Sequence, residues 1–154
     1  MAKNETKKII ITVVSIIVVA VLGSVFVNFG GRWFAGLNRP TQWIPDVLIP
    51  IVWTVIYISF AIVLSVWINK ESLPKSVIVL LILNGIFNVL WCLTFFTLHL
   101  TLVGNIIIVL NLILAYSLIL EMKKFKPKYA LILSIYPIWI SLATTLNLAL
   151  WILN

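Results

Sequence analysis

Five stretches of this chain contain no Asp, Glu, Lys or Arg: Ile9 to Phe29, Val47 to Asn69, Ser76 to Leu98, Leu100 to Leu120 and Tyr129 to Asn154. Each reaches the roughly 20 apolar residues that carry a helix across the hydrocarbon core of a bilayer. With 63% hydrophobic and 10% charged residues among 154, a soluble globular domain is excluded. Backbone groups in lipid must pair internally, which leaves helices or a closed barrel. Segments this long, with few turn residues inside them, exclude the barrel. The expected fold is an all-α integral membrane protein, a five-transmembrane-helix bundle. It forms a single domain, 1–154, with spans at 9–29, 47–69, 76–98, 102–122 and 129–153 and a longer loop at 30–46.

The net charge of +7 is unevenly placed. Lys3, Lys7, Lys8, Lys70, Lys75, Lys123, Lys124, Lys126 and Lys128 fall before the first span or in the second and fourth connections. With five spans these segments share one side, and the other side carries only Arg32 and Arg39. The positive-inside rule then puts the N-terminus in the cytoplasm and Asn154 outside, in a cell membrane. Lysines so placed anchor the bundle and touch anionic lipid rather than nucleic acid. The first span is read as a retained helix, because its apolar run is long for a secretory signal and no small-x-small cleavage site follows. A single cysteine, Cys92, excludes an intrachain disulfide. No metal, nucleotide-phosphate or nucleophile–base motif is present, and no cofactor is required.

The spans nevertheless hold amides and indoles at membrane depth: Trp53, Asn84, Asn88, Trp91, Trp139 and Asn147. An amide in hydrocarbon is costly unless a neighbouring helix answers it. Asn84, Asn88, Trp91 and Phe95 recur at i, i+4, i+7 and i+11 and share one helix face. Trp53, Tyr57, Phe60 and Leu64 make an aromatic stripe, and Trp139, Ala143 and Asn147 follow at i, i+4 and i+8. Pro137 denies a hydrogen bond to the Leu133 carbonyl and should bend the last helix beside Trp139. Two readings stand for these faces: interhelical packing, or the wall of a pocket for a flat ligand. The loop from Gly30 to Asp46 is either an aromatic-anchored surface segment or a lid, with Arg32 or Arg39 facing an acidic ligand group. His99 is expected to be a solvated residue of a tight turn, and Asn105 and Asn111 mainly structural.

Three signatures in register resemble the tryptophan-rich sensory protein or translocator protein family (TspO/MBR, peripheral benzodiazepine receptor), as a bacterial-type member. The loop signature appears as Trp33, Phe34, Leu37, Arg39, Pro40, Trp43 and Pro45, followed by Trp53 and Tyr57. The third span carries Asn88, Trp91, Phe95 and Phe96, and the fifth carries Trp139, Ala143, Leu146 and Asn147. The resemblance implies a membrane receptor that binds porphyrins and aryl-carboxamide drugs beneath the first loop. On this chain Trp53 and Trp139 would flank the ligand, Asn84, Asn88, Ala143 and Asn147 would shape the pocket, and Trp33, Arg39 and Trp43 would form the lid. Some relatives are associated with light-dependent porphyrin breakdown, for which Trp53 and Trp139 are the candidate electron donors. Competing classes are a transporter of porphyrins or other small amphipathic molecules and a non-catalytic sensor. The expected partners are a tetrapyrrole, membrane lipid and a second copy of the chain.

The chain departs from the pattern at several places. Asp46 stands where the family usually has a second proline, Phe34 replaces a tyrosine, and proline in the last span has moved to Pro137. The tail around Trp151 has no basic residue, so sterol binding is not carried over.

Overall fold

The computed structural model describes residues 2–41 and 43–154, with side chains from Asn4 onward; Gln42, inside the first loop, lies outside the described residues. Seven helices follow one another: α1 (Ala2–Phe29), α2 (Gly31–Ala35), α3 (Leu48–Lys70), α4 (Lys75–Cys92), α5 (Thr101–Phe125), α6 (Pro127–Leu133) and α7 (Ile135–Leu153). A π-helical turn, Leu93–Thr97, extends α4. Helix pair α6–α7 makes one span, so five segments are long and apolar enough to cross a membrane, as expected. The helices run past the charge-free stretches because terminal lysines continue the helix into the interface. Hydroxyls inside the spans are satisfied locally: Ser15, Thr54, Ser59, Ser117 and Thr144 each donate to the carbonyl four residues earlier.

The spans close into a ring. Helix α1 packs on α3 and α4, α4 on α5, α5 on α7, and α3 completes the circle against α6 and α7. At one end, the second and fourth connections are tied together: Lys126 pairs with Glu71 at 2.6 Å, and Ser76 donates to Glu121 at 2.7 Å. This is the basic end. At the other, the loop end, Asn154 donates to the Asn38 carbonyl and accepts from its N–H at 3.0 and 2.9 Å. The link at His99 is as short as the sequence suggests, whereas the last span, expected to bend beside Trp139, breaks earlier, at Ser134. His99 turns the chain between α4 and α5 with φ 56°, and its ring stacks on Trp33 at 4.3 Å. Ser134 breaks the last span into α6 and α7, one turn before Pro137, which has no N–H for the Leu133 carbonyl.

Helix α1 packs most closely at its loop end. Gly23 is its one buried residue among those described, and a Cβ there would sit 3.5 Å from Cys92 Sγ. Just beyond the helix, Gly30 lies so close to the π turn that a Cβ would fall 2.0 Å from the Phe96 carbonyl oxygen. Thr97 donates to the Phe26 carbonyl at 2.8 Å, closing the same junction. Towards the basic end no α1 side chain is buried among the described residues. Gly30→Ala should therefore cost about 2 kcal/mol or more, because a backbone oxygen cannot step aside as a side chain can. Gly31→Ala, whose added Cβ meets nothing within 4 Å, should be nearly neutral. Thermal unfolding of the two variants in detergent separates them; equal melting profiles would refute the pinned junction.

Candidate ligand-binding site

A cavity of about 710 Å³ opens between α1, α3 and α4. On α3 it extends from Trp53 to Ile68, about 22 Å of helix at 1.5 Å per residue. Its inner end is polar and aromatic. Trp53 stacks on Tyr57 with ring centroids 5.6 Å apart, and Tyr57 donates to Asn88 Oδ1 at 3.4 Å. Asn84 donates to the Leu80 carbonyl at 2.7 Å, while its Oδ1 is buried with no donor. At the basic end Lys8 and Ser72 form the mouth. Val14 and Val18 on one flank and Ile82 and Ile86 on the other are about half exposed, so the slot also opens sideways onto the lipid face.

A second, much smaller chamber of about 40 Å³ lies under the first loop. It is lined by Phe34, Trp43, Trp91, Trp139, Ala143, Leu146 and Asn147 among others, and again by Trp53. That volume holds little more than a water or two. Trp91 donates to Asn147 Oδ1 at 3.1 Å, and Asn147 donates to the Ala143 carbonyl at 2.9 Å. Both polar groups are thus engaged in joining α4 to α7. Trp139 Nε1 is buried without an acceptor. Trp53 is the shared wall: its ring lies 6.2 Å from Trp91 and 6.3 Å from Tyr136.

The residues singled out in the sequence therefore divide into three groups. Trp53, Tyr57, Asn84 and Asn88 face the large cavity. Phe34, Trp43, Trp91, Trp139, Ala143, Leu146 and Asn147 face the small chamber. Trp33 and Arg39 line neither: Trp33 packs edge-on against Phe95 at 5.6 Å, and Arg39 is engaged inside the loop. Its guanidinium reaches both carboxylate oxygens of Asp46 at 2.7 and 2.8 Å and lies 5.0 and 4.9 Å over the rings of Phe34 and Trp43. Trp43 Nε1 donates to the same carboxylate at 2.8 Å. Arg32 is exposed on α2. Asp46, a departure from the family pattern, is what holds the loop's arginine.

Asn105, on α5, is buried with both amide atoms unpartnered but lines neither cavity. Two residues of the large cavity have no clear sequence signal. Tyr136 lines the large cavity and donates to Asn111 Oδ1 at 3.4 Å. Lys8 reads in the sequence as a lipid anchor, yet it also borders the cavity.

A five-span integral membrane protein with an internal indole- and amide-lined cavity is the class that fold and site define. The family described as TspO/MBR matches residues 11–152, and the chain belongs to it. Similar proteins include the tryptophan-rich protein TspO of Archaeoglobus fulgidus, 28% identical with 96% of this chain and 97% of the relative covered. The protein of the same name from Chlorobaculum tepidum is 29% identical, with 86% of each chain covered. Protein CrtK of Rhodobacter capsulatus is 26% identical, covering 80% of this chain and 79% of its own length.

The Arg39 guanidinium, and then the Trp43 indole N–H, hold the Asp46 carboxyl below its ordinary value near 3.8. A lowered folded pKa stabilises the loop above the unfolded value, and that gain disappears as pH falls through the folded one. With the Asp46 side chain 55% exposed, solvent screening limits the pair to under about 1 kcal/mol. Hydrogen exchange over residues 30–46 should accordingly be constant from neutral pH to about 4 after correction for intrinsic rates, then accelerate below it. Asp46→Asn should be looser at neutral pH and show no such acid step. An acid step that survives in this variant would assign it to another group.

Proposed function

We propose that this protein is a membrane receptor or sensor for a tetrapyrrole of the porphyrin class, held in the large cavity. The observation that carries the reading is the cavity's form: about 710 Å³, almost wholly apolar, with the Trp53 indole at its inner end beside Tyr57, Asn84 and Asn88. Ligand pockets typically span ~300–1,000 Å³ and combine apolar walls with a few convergent polar groups. A porphyrin is broad, planar and apolar with acidic arms, so indole and phenol faces suit its ring. Membership of the TspO/MBR family supports the same reading. We place the basic end in the cytoplasm on the lysine asymmetry, in a bacterial cell membrane.

Light-dependent breakdown of the ligand is part of this proposal. An indole touching an excited porphyrin can donate one electron to it, giving an indole radical cation and a porphyrin radical anion, with dissolved dioxygen as the oxidant that opens the ring; Trp53 borders both chambers and Trp139 lies beyond the shared wall. Ion-coupled transport is disfavoured, because the buried polar residues described are all Asn or Thr and none carries charge. The test is a titration of purified protein with protoporphyrin in darkness, followed by illumination. Saturable quenching of tryptophan fluorescence is expected. Trp53→Phe should weaken it two- to tenfold, the range of a lost aromatic contact, and Trp139→Phe should weaken it less. Unchanged light-driven porphyrin loss in the double variant would discard the indole mechanism while leaving binding intact.

A further inference from the structure

We infer that the basic-end stretch of the large cavity is a site for one acyl chain of an anionic phospholipid, whose phosphate meets Lys8 of α1. The site is independent of the tetrapyrrole reading and does not involve the chamber beneath the first loop. Three observations lead to it. First, the slot is one leaflet deep. Its α1 wall runs from Lys8 to Val19, about 16 Å of helix, and half of a hydrocarbon core is roughly 15 Å. Second, it opens along its length to the membrane: Val14 and Val18 on one flank and Ile82 and Ile86 on the other are about half exposed. Third, it ends beside Lys8 and Ser72, where the charge-free run of α1 gives way to the headgroup level, and no Asp or Glu lines it.

The physical chemistry selects both ends of such a lipid. Apolar volume open sideways to hydrocarbon fills with hydrocarbon, because unfilled walls lose their dispersion contacts. Leu64 and Ile68 on α3 and Ile78 and Leu81 on α4 face the slot there. The Ser15 hydroxyl on the α1 wall is turned onto the Ile11 carbonyl. Asn84, with its buried Oδ1 lacking a donor, marks the polar depth at which a chain must stop. Packing alone does not distinguish one lipid from another, since bilayer hydrocarbon solvates a chain as well as the slot does. The headgroup supplies the selection. Lys7, Lys70 and Lys75 are exposed at the same end as Lys8, while Glu71 and Glu121 there are paired with Lys126 and Lys124. With Asp46 in the loop, Glu5 is the one acid of the chain's four left to offset these lysines. Basic pockets between spanning helices on the lysine-rich side suit anionic headgroups.

The test is native mass spectrometry of the purified protein after equilibration with equal amounts of phosphatidylglycerol and phosphatidylcholine carrying identical chains. One firmly retained phospholipid is expected, with phosphatidylglycerol preferred. Lys8→Gln should lower that preference about fivefold, the order of one lysine at a membrane surface, with a lipid still bound; Lys8→Arg should keep it. Lys128→Gln removes the same charge at the same end, outside the cavity lining, and should change the preference less than twofold. Gly85→Leu fills the slot opposite Val19, whose Cγ2 lies 3.2 Å from where a Cβ would stand, and should abolish retention of both lipids. Ser15→Phe fills the same slot from the surface of α1 and makes the same test if Gly85→Leu does not fold. Glycerophosphoglycerol, the headgroup without chains, should not displace the lipid. Equal losses of preference in Lys8→Gln and Lys128→Gln would assign the selection to diffuse surface charge and overturn the site. Undiminished retention in a folded slot-filling variant, or displacement by the bare headgroup, would overturn it equally.

Discussion

The contact between Gly30 and the Phe96 backbone governs the rest of the structure. It can form only because position 30 has no side chain. It seats the loop end of α1 on the π turn, where Thr97 also reaches back to the Phe26 carbonyl. Towards the basic end no described α1 side chain is buried. In lipid this costs little, since hydrocarbon solvates its valines and isoleucines as well as protein does. The large cavity lies between α1, α3 and α4, on the basic-end side of that junction.

The π turn contributes a second consequence. One extra residue in the last turn of α4 lets Phe95 and Phe96 face different neighbours: Phe95 lies under Gly104 and Trp33, Phe96 under Phe34 and Trp91. Such insertions are frequent at functional sites. Here it closes the small chamber from above and packs the loop's aromatics against the bundle. Indole and amide groups then knit α4 to α7 through Trp91 and Asn147. The part of the bundle nearest the loop is consequently tight, and the open volume lies on the other side of Trp53.

The spans were legible in the sequence because absence of charge over 20 residues has few physical explanations. The buried face of α4 was legible for a similar reason: Asn84, Asn88, Trp91 and Phe95 are all buried, as helical spacing requires when lipid penalises amides. The division into two cavities was not. Spacing tells which residues share a face, but not how far one helix stands from the next. Helix α1 gave least of all, since a segment apolar all round has no face to point with, and its one buried described residue is a glycine. The partner of Arg39 was hidden differently. Asp46 follows it by seven positions, across prolines and a turn, and only the loop's path brings the two together.

That last pairing changes what the loop can do. A free arginine above a pocket would select acids at the loop end. Bound to Asp46 and flanked by Phe34 and Trp43, its guanidinium is instead engaged within the loop. Among the described residues, the charged side chain that lines the large cavity is Lys8, at the opposite end. The residue that departs from the family pattern therefore does more than alter a turn. By engaging the Arg39 guanidinium and the Trp43 indole N–H together, its carboxylate ties the middle of the loop to the residues that lead into α3.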